Sequence, residues 1–200
     1  MIKRKAEKRK IYYVYLFRHG QTTYNKKGIF TGWKESKLTP LGVKQAKIIA
    51  QKLKNKKIDV AFQTDLSRAK DTLKEVLKYH PECKEIITAN RMIERSYGEL
   101  EGKHHKTIIE KYGKKQFEIW HRSYNIPPPK GESFEMVEKR VKIFIGNLKK
   151  FIEKEKVNVA ISSHGNSIRI FRKIMEKRTK EEATKWFIPY DKVFVYKIRA

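Results

Sequence analysis

Ile11-Tyr12-Tyr13-Val14-Tyr15-Leu16-Phe17, followed at once by Arg18-His19-Gly20-Gln21-Thr22-Thr23-Tyr24-Asn25, is the stretch around which the rest of the chain is organised. Its first seven residues are aromatic or aliphatic, rich in types that suit a pleated and buried surface, and they predict a strand. The basic-polar turn falls at the strand's C-terminal end. In open α/β sheets, ligands gather outside the carboxyl ends of the strands. An arginine beside a histidine at that point can hold an anion and also attack it. Arg-His-Gly by itself suits a solvated strand end equally well, so its meaning depends on the other motifs.

Outward from this strand, Lys26 to Lys37 reads as a loop containing Phe30-Thr31-Gly32-Trp33. Thr39 as N-cap and Pro40 at the first helical position open a helix, with Ala46, Ile49, Ala50 and Leu53 on its apolar face. Ile58 to Phe62 predicts a short strand, and Gln63-Thr64-Asp65-Leu66-Ser67-Arg68 turns from it into a helix running to about Tyr79. Glu85 to Ala89 predicts another strand. Two helical pieces cover roughly Lys106 to Arg122, and Pro127-Pro128-Pro129 interrupts the pattern. A long helix then carries Phe134, Val137, Val141, Phe144, Ile145, Leu148 and Ile152 on one face. Val157 to Ser162 reads as a buried strand ending in Ser163-His164-Gly165-Asn166, where a further helix begins, and Val193 to Ile198 is the last strand. The alternation predicts an α/β fold, a three-layer α/β/α sandwich with a mostly parallel sheet. The region from Glu94 to Lys130 reads as a mainly helical insertion over the strand ends.

Two hundred residues favour one domain, placed at residues 11–200 behind a basic N-terminal extension at residues 1–10. A hydrophobic content of 39% argues against disorder. The net charge of +26 suggests attraction to phosphates. The lysines run along the whole chain and form no tail or single stripe. Zinc-ligand spacing and an RNA-binding aromatic signature are missing, so a basic nucleic-acid-binding protein without catalysis is the remote alternative and no nucleic-acid partner is expected. Cys83 is the only cysteine, which forbids an intrachain disulfide and suits a cytoplasmic location. The apolar run after the basic start is short, Tyr-rich and ends in Arg-His, unlike a leader, and no run is long enough to span a membrane. A homo-oligomer is left open.

Three predicted strands end in polar clusters: Arg18-His19-Gly20, Asp65-Leu66-Ser67-Arg68 and His164-Gly165-Asn166. In a parallel sheet these ends share one edge, so two histidines and two arginines converge on one anion. The arginine fork suits phosphate oxygens better than the point charge of lysine. Glu94 begins a loop able to fold over the same edge and offers an acid/base carboxyl. His104-His105 are adjacent and lack the i, i+4 spacing of helical metal ligands, so no metal is expected.

These motifs resemble the histidine phosphatase superfamily, and within it the cofactor-dependent phosphoglycerate mutases. The resemblance rests on Arg18-His19-Gly20 with Asn25 and Thr31-Gly32-Trp33, on Thr64-Asp65-Leu66-Ser67-Arg68-Ala69, on Glu94 to Gly102, and on His164 to Arg169. The block of Lys111-Tyr112-Gly113, Gln116, Trp120, Arg122-Ser123-Tyr124 and the three prolines is similar to the mutase branch in particular. It implies a phosphoglycerate mutase interconverting 3- and 2-phosphoglycerate through a phosphohistidine, with 2,3-bisphosphoglycerate as primer and a small phosphorylated substrate as partner. A metal-independent histidine phosphatase acting on small phosphorylated metabolites is the alternative.

By the same resemblance, His19 is the nucleophile, and Arg18, Arg68 and His164 surround the transferring phosphoryl group. Asn25 and Asn166 add hydrogen bonds to it, and Glu94 is the acid/base. Tyr97 and Arg122 hold the distal carboxylate or phosphate, with Thr31, Gly32, His105 and His121 among the substrate contacts. Three departures stand out. His105 occupies the place where mutases usually carry a substrate-binding lysine, flanked by Lys103 and Lys106. His121-Arg122 replaces a usual pair of arginines. The passage from Pro129 to Gly131-Glu132-Ser133 is short, as is the tail after the last strand, which tilts the expectation toward hydrolysis.

Overall fold

Alternate residues of β1 (Ile11–Arg18) point into two different cores, and this divides the molecule into layers. The computed structural model describes residues 10–200. The basic extension expected over residues 1–10 lies outside the described residues except for Lys10, whose backbone pairs with that of Ala200. Tyr12, Val14 and Leu16 join one core with Val159 and Ile161. Tyr15 and Phe17 join the other with Ala61 and Ala160. Leu16 and Phe17 are completely buried, and each stabilises the fold by about 1.5–3 kcal/mol through area removed from water.

The sheet contains β1, β2 (Val60–Gln63), β3 (Glu85–Thr88), β4 (Val159–Ser163) and β5 (Val193–Arg199), in the order β3-β2-β4-β1-β5. Only β5 runs antiparallel, against β1. Helices α1 (Thr23–Lys27), α2 (Pro40–Leu53), α3 (Ser67–Leu77), α4 (His105–Arg122), α5 (Phe134–Glu155), α6 (Gly165–Met175) and α7 (Lys180–Lys185), with short 3-10 turns at Asn90–Met92 and Gly98–Leu100, make up the rest of the regular structure among the described residues. The α2 and α3 residues Ile49, Leu53, Leu73 and Val76 cover one face of the sheet. The α5 and α6 residues Val141, Leu148, Ile168 and Phe171 cover the other. The expected three-layer α/β/α sandwich with a mostly parallel sheet is the observed architecture.

Local chemistry sets the boundaries. Thr39 caps α2 by accepting the Gly42 N–H, with Pro40 at its start, as the sequence implies. Gly20 and Gly42 lie so close that a Cβ on Gly20 would run into the Gly42 backbone, so the turn after β1 can rest on the start of α2. α4 is indeed two helical pieces, meeting at Gly113 with φ of 81°. β4 begins at Val159 instead of Val157, because the Asn158 side chain is taken up by Tyr13 N–H and by Asp59. The segment expected as loop from Lys26 is helical at its start, since α1 extends to Lys27. α1 and α7 are short and carry few buried residues, so apolar periodicity cannot reveal them. Both begin with a capping box, Thr22 with Asn25 and Thr179 with Glu182.

Candidate active site

The carboxyl ends of β1, β4 and β2 stand side by side and open into a cavity of about 300 Å³. At its base lies His19, buried, with its N–H on the Ser163 carbonyl (3.0 Å). Its Nδ1 donates to the Gly20 carbonyl at 2.7 Å, which leaves the Nε2 lone pair free. Burial, with Arg68 and Arg18 nearby, holds this imidazole well below its ordinary pKa, against the opposing pull of the Gly20 bond. His164 sits behind it, with ring centroids 5.1 Å apart. Its Nε2 meets the Thr64 hydroxyl at 2.7 Å, while its Nδ1 is buried without a hydrogen-bond partner among the described residues. Burial and the same arginines also keep His164 neutral. In the tautomer whose Nε2 accepts from the Thr64 hydroxyl, Nδ1 carries the proton and is a donor in need of an acceptor.

Two guanidinium groups flank the histidines. Arg68 is almost fully buried and donates to the Gly32 carbonyl (2.7 Å) and the Lys34 carbonyl (2.9 Å). The loop of Thr31 and Gly32 is thereby fixed, and Gly32 has φ of 51° beside the Glu101 side chain. Arg18 donates to the Ile188 carbonyl at 2.9 Å and lies over the Tyr190 ring at 4.0 Å. Its Nε is buried and unpartnered among the described residues. Asn25 accepts the Thr22 backbone N–H (3.1 Å) and hydroxyl (3.0 Å) through Oδ1, leaving its amide N–H groups for the cavity that it lines. Gly165 and Asn166 start α6, whose N-terminal dipole favours negative charge there.

Glu94 enters from the insertion. Its Oε1 accepts the Asn166 N–H at 3.0 Å and the Arg95 N–H at 2.8 Å, while Oε2 has no hydrogen-bond partner among the described residues. Tyr97 receives the Asn166 amide at 3.3 Å. Every expected site residue lines the cavity except His164, which lies behind His19. Asp65 and Ser67 turn outward instead, to Asn90 and to Glu35. His104 is exposed on the Lys27 carbonyl. Among the described residues no group of three or more His, Cys, Asp or Glu side chains is gathered to hold a metal ion, and no helix is long and apolar enough to cross a membrane.

Comparison with known proteins agrees with this geometry. Residues 14–199 match the model of the histidine phosphatase superfamily (branch 1). The chain belongs to that superfamily. It is 38% identical over 188 residues to a 2,3-bisphosphoglycerate-dependent phosphoglycerate mutase of Parvibaculum lavamentivorans, covering 92% of this chain and 89% of that protein. Among solved structures it shares the fold of a phosphoglycerate mutase from Bacillus anthracis, with a TM-score of 0.78 at 22% identity over 96% of this chain and 90% of that one. The α-ribazole phosphatase from Shigella flexneri has the same fold, with a TM-score of 0.79 at 22% identity over 94% of each chain.

The far end of this histidine phosphatase cavity brings together His105, His121 and Arg122, all expected as substrate contacts, with Arg169, the last residue of the His164 to Arg169 motif. His105 and His121 pack on Phe30 with ring centroids 4.3 and 5.7 Å away. Burial and the nearby Arg122 pull His121 down to about 2 and lower His105 as well, so both are neutral. Arg122 and Arg169 also line the cavity. Burial, and then the charge of Arg122, bring Arg169 down to about 10, against the opposing pull of Tyr97 and Glu94. Arg169 donates to Asn166 Oδ1 (2.5 Å) and to the Trp186 carbonyl (2.8 Å). Its signal in the sequence is its place in the His164 to Arg169 motif, which gives it no contact; three residues after Asn166 on α6, it shares that residue's face. Phe187 and Tyr190 at the mouth lie in the irregular segment before β5 and had no such signal.

Proposed function

We propose that this protein is a phosphoglycerate mutase that interconverts 3-phosphoglycerate and 2-phosphoglycerate through a phosphohistidine at His19. The observation that carries the reading is His19 itself, neutral, with Nδ1 tied to Gly20 and Nε2 free, between two arginines and a second histidine with an unsatisfied Nδ1. Relatives bearing the mutase name at this identity support the same reading. 2,3-Bisphosphoglycerate fits the residues present. Arg18 Nε and His164 Nδ1 are buried donors that suit one phosphoryl group, and Arg122 with Arg169 suits an anion at the other end. When bound, it supplies the phosphoryl group that charges His19.

In the forward half, His19 Nε2 attacks phosphorus in line as the P–O bond breaks. Glu94 Oε2 delivers a proton to the departing oxygen. Arg18, Arg68, His164 Nδ1 and the start of α6 stabilise the equatorial oxygens. In the reverse half, Glu94 takes the proton of the acceptor hydroxyl, which attacks the phosphohistidine and frees His19. Arg122, Arg169 and Tyr97 keep the glycerate backbone in the cavity while it presents one oxygen and then the other. Asn25 orients the phosphoryl group through its free amide.

The test is one reaction: 3-phosphoglycerate with and without 2,3-bisphosphoglycerate, with chelator present and His19→Ala as blank. 2-Phosphoglycerate and free phosphate are followed together. Primer-dependent isomerisation with little phosphate release is the expected result. Steady phosphate release without 2-phosphoglycerate would replace the mutase by a histidine phosphatase on the same frame.

A further inference from the structure

Glu94 follows a single 3-10 turn (Asn90–Met92) that runs into irregular chain, so the carbonyls from Arg91 to Glu94 have no ladder of their own. Side chains from four other places bind them one after another. Arg91 O accepts from Arg140 at 2.8 Å, and Met92 O from the Ser163 hydroxyl at 2.8 Å. Ile93 O accepts from Arg140 at 2.8 Å and from the Ser167 hydroxyl. Glu94 O accepts from the Trp33 indole at 2.7 Å and from Arg140 at 3.1 Å. Arg140, on α5, is common to three of these four.

The remaining donors of Arg140 go to Glu132. Nε meets Oε1 and Nη2 meets Oε2, each at 3.0 Å, with side-chain exposures of 17% and 13%. All five guanidinium N–H groups therefore have an acceptor. Glu132 Oε2 also takes the Ser96 N–H at 2.9 Å, and Glu132 N–H returns to the Ser96 carbonyl at 2.9 Å. The pair thus grips the chain on both sides of Glu94, from Arg91 to Ser96. Neither side chain lines the cavity. A buried ion pair is weak grounds for inferring stability, because apolar residues of similar volume often serve as well. Five directed bonds focused on one short segment suit another purpose.

We propose that Arg140, with Glu132, is a positioning residue that sets the Glu94 carboxyl against the leaving oxygen. The proposal rests on Glu94 being the acid/base. A proton donor must lie within hydrogen-bond reach of its oxygen, and a displacement of about 1 Å costs on the order of a hundredfold in rate. The Arg140 clamp governs protonation of the leaving group, while His19, His164, Arg18 and Arg68 are held by other bonds.

The test is single-turnover formation of acid-labile phosphohistidine from two donors. 2,3-Bisphosphoglycerate expels an alkoxide and needs the proton, whereas 4-nitrophenyl phosphate expels a phenolate that leaves without one. Glu94→Gln is expected to lose about a hundredfold or more with the first donor and less than about threefold with the second. Arg140→Met and Glu132→Gln should follow the same pattern at about tenfold or more, with Arg140→Lys intermediate because it keeps the charge but loses the fork. Thermal melts accompany each variant, and Glu132→Gln carries the test if Arg140→Met does not fold. Equal losses on both donors, or none, in the Arg140 and Glu132 variants would overturn the positioning role. Equal losses on both donors in Glu94→Gln would overturn the acid/base reading itself.

Discussion

At one end of the cavity stand His19, His164, Arg18 and Arg68, and at the other His105, His121, Arg122 and Arg169. The residue types are the same, but the construction is not. The first quartet sits on strand ends and on α3, and its polar atoms are fixed by main-chain groups such as Gly20, Gly32 and Lys34. Two buried donors there, Arg18 Nε and His164 Nδ1, are left without a partner among the described residues. The second quartet sits on α4 and α6, and its histidines rest on the aromatic rings of Phe30 and Phe117. A rigid frame with a few open donors suits bond making, where charge develops at one fixed place. An aromatic wall with two facing cations suits recognition of an anion at a fixed distance from it.

The largest difference between the ends should appear when an arginine is replaced at each. Arg68→Lys keeps the charge but cannot bind both the Gly32 and Lys34 carbonyls while still meeting phosphate. A fall in kcat of about 10²- to 10³-fold is expected with every substrate, read by steady-state kinetics. Arg122→Met should instead raise KM for 3-phosphoglycerate by about tenfold, the worth of one hydrogen bond to a charged group. It should leave 4-nitrophenyl phosphate, which has no distal anion, nearly unaffected. If both substrates suffer alike from Arg122→Met, the far end belongs to the chemistry and the division fails.

The same contrast explains what the sequence made legible. A strand end needs its chemistry in consecutive residues, so Arg18-His19-Gly20 and His164-Gly165-Asn166 could be read directly. Thr39 was equally plain, because a cap is local, whereas Asn25 was named only through the resemblance and its pairing with Thr22 was not read. The far end is assembled from residues distant in the chain. Arg169 closes the His164 to Arg169 motif but was given no contact, and Phe187 and Tyr190 come from an irregular segment that packs on Arg18. Trp33 looked like part of a loop motif, yet its indole bond to the Glu94 carbonyl joins two regions 61 residues apart. Such pairings depend on how the insertion folds over the sheet, and no local pattern encodes that.

The smallest effect separates the two ends by acid. His121 is neutral in the folded protein and takes a proton only near pH 2, because burial and then Arg122 oppose its charge. In the unfolded chain it takes one near 6.5. Between those values the unfolded state holds one more proton than the folded state, so stability rises with pH across that window. Above about 6.5 this contribution is complete, and it is lost progressively as the pH falls toward 2. His19 and His164 push the same way from the other end. His121→Phe keeps a ring against Phe30 and Phe117 but removes one titrating group, so activity should change less than about threefold. Urea unfolding at pH 7 and pH 5 should show the variant losing about 1–2 kcal/mol less than the parent between the two pH values. Equal losses would mean that His121 takes its proton in the folded state near the ordinary pH, so that the far end admits water and charge, and its aromatic wall would no longer be a dry surface against which the two arginines act.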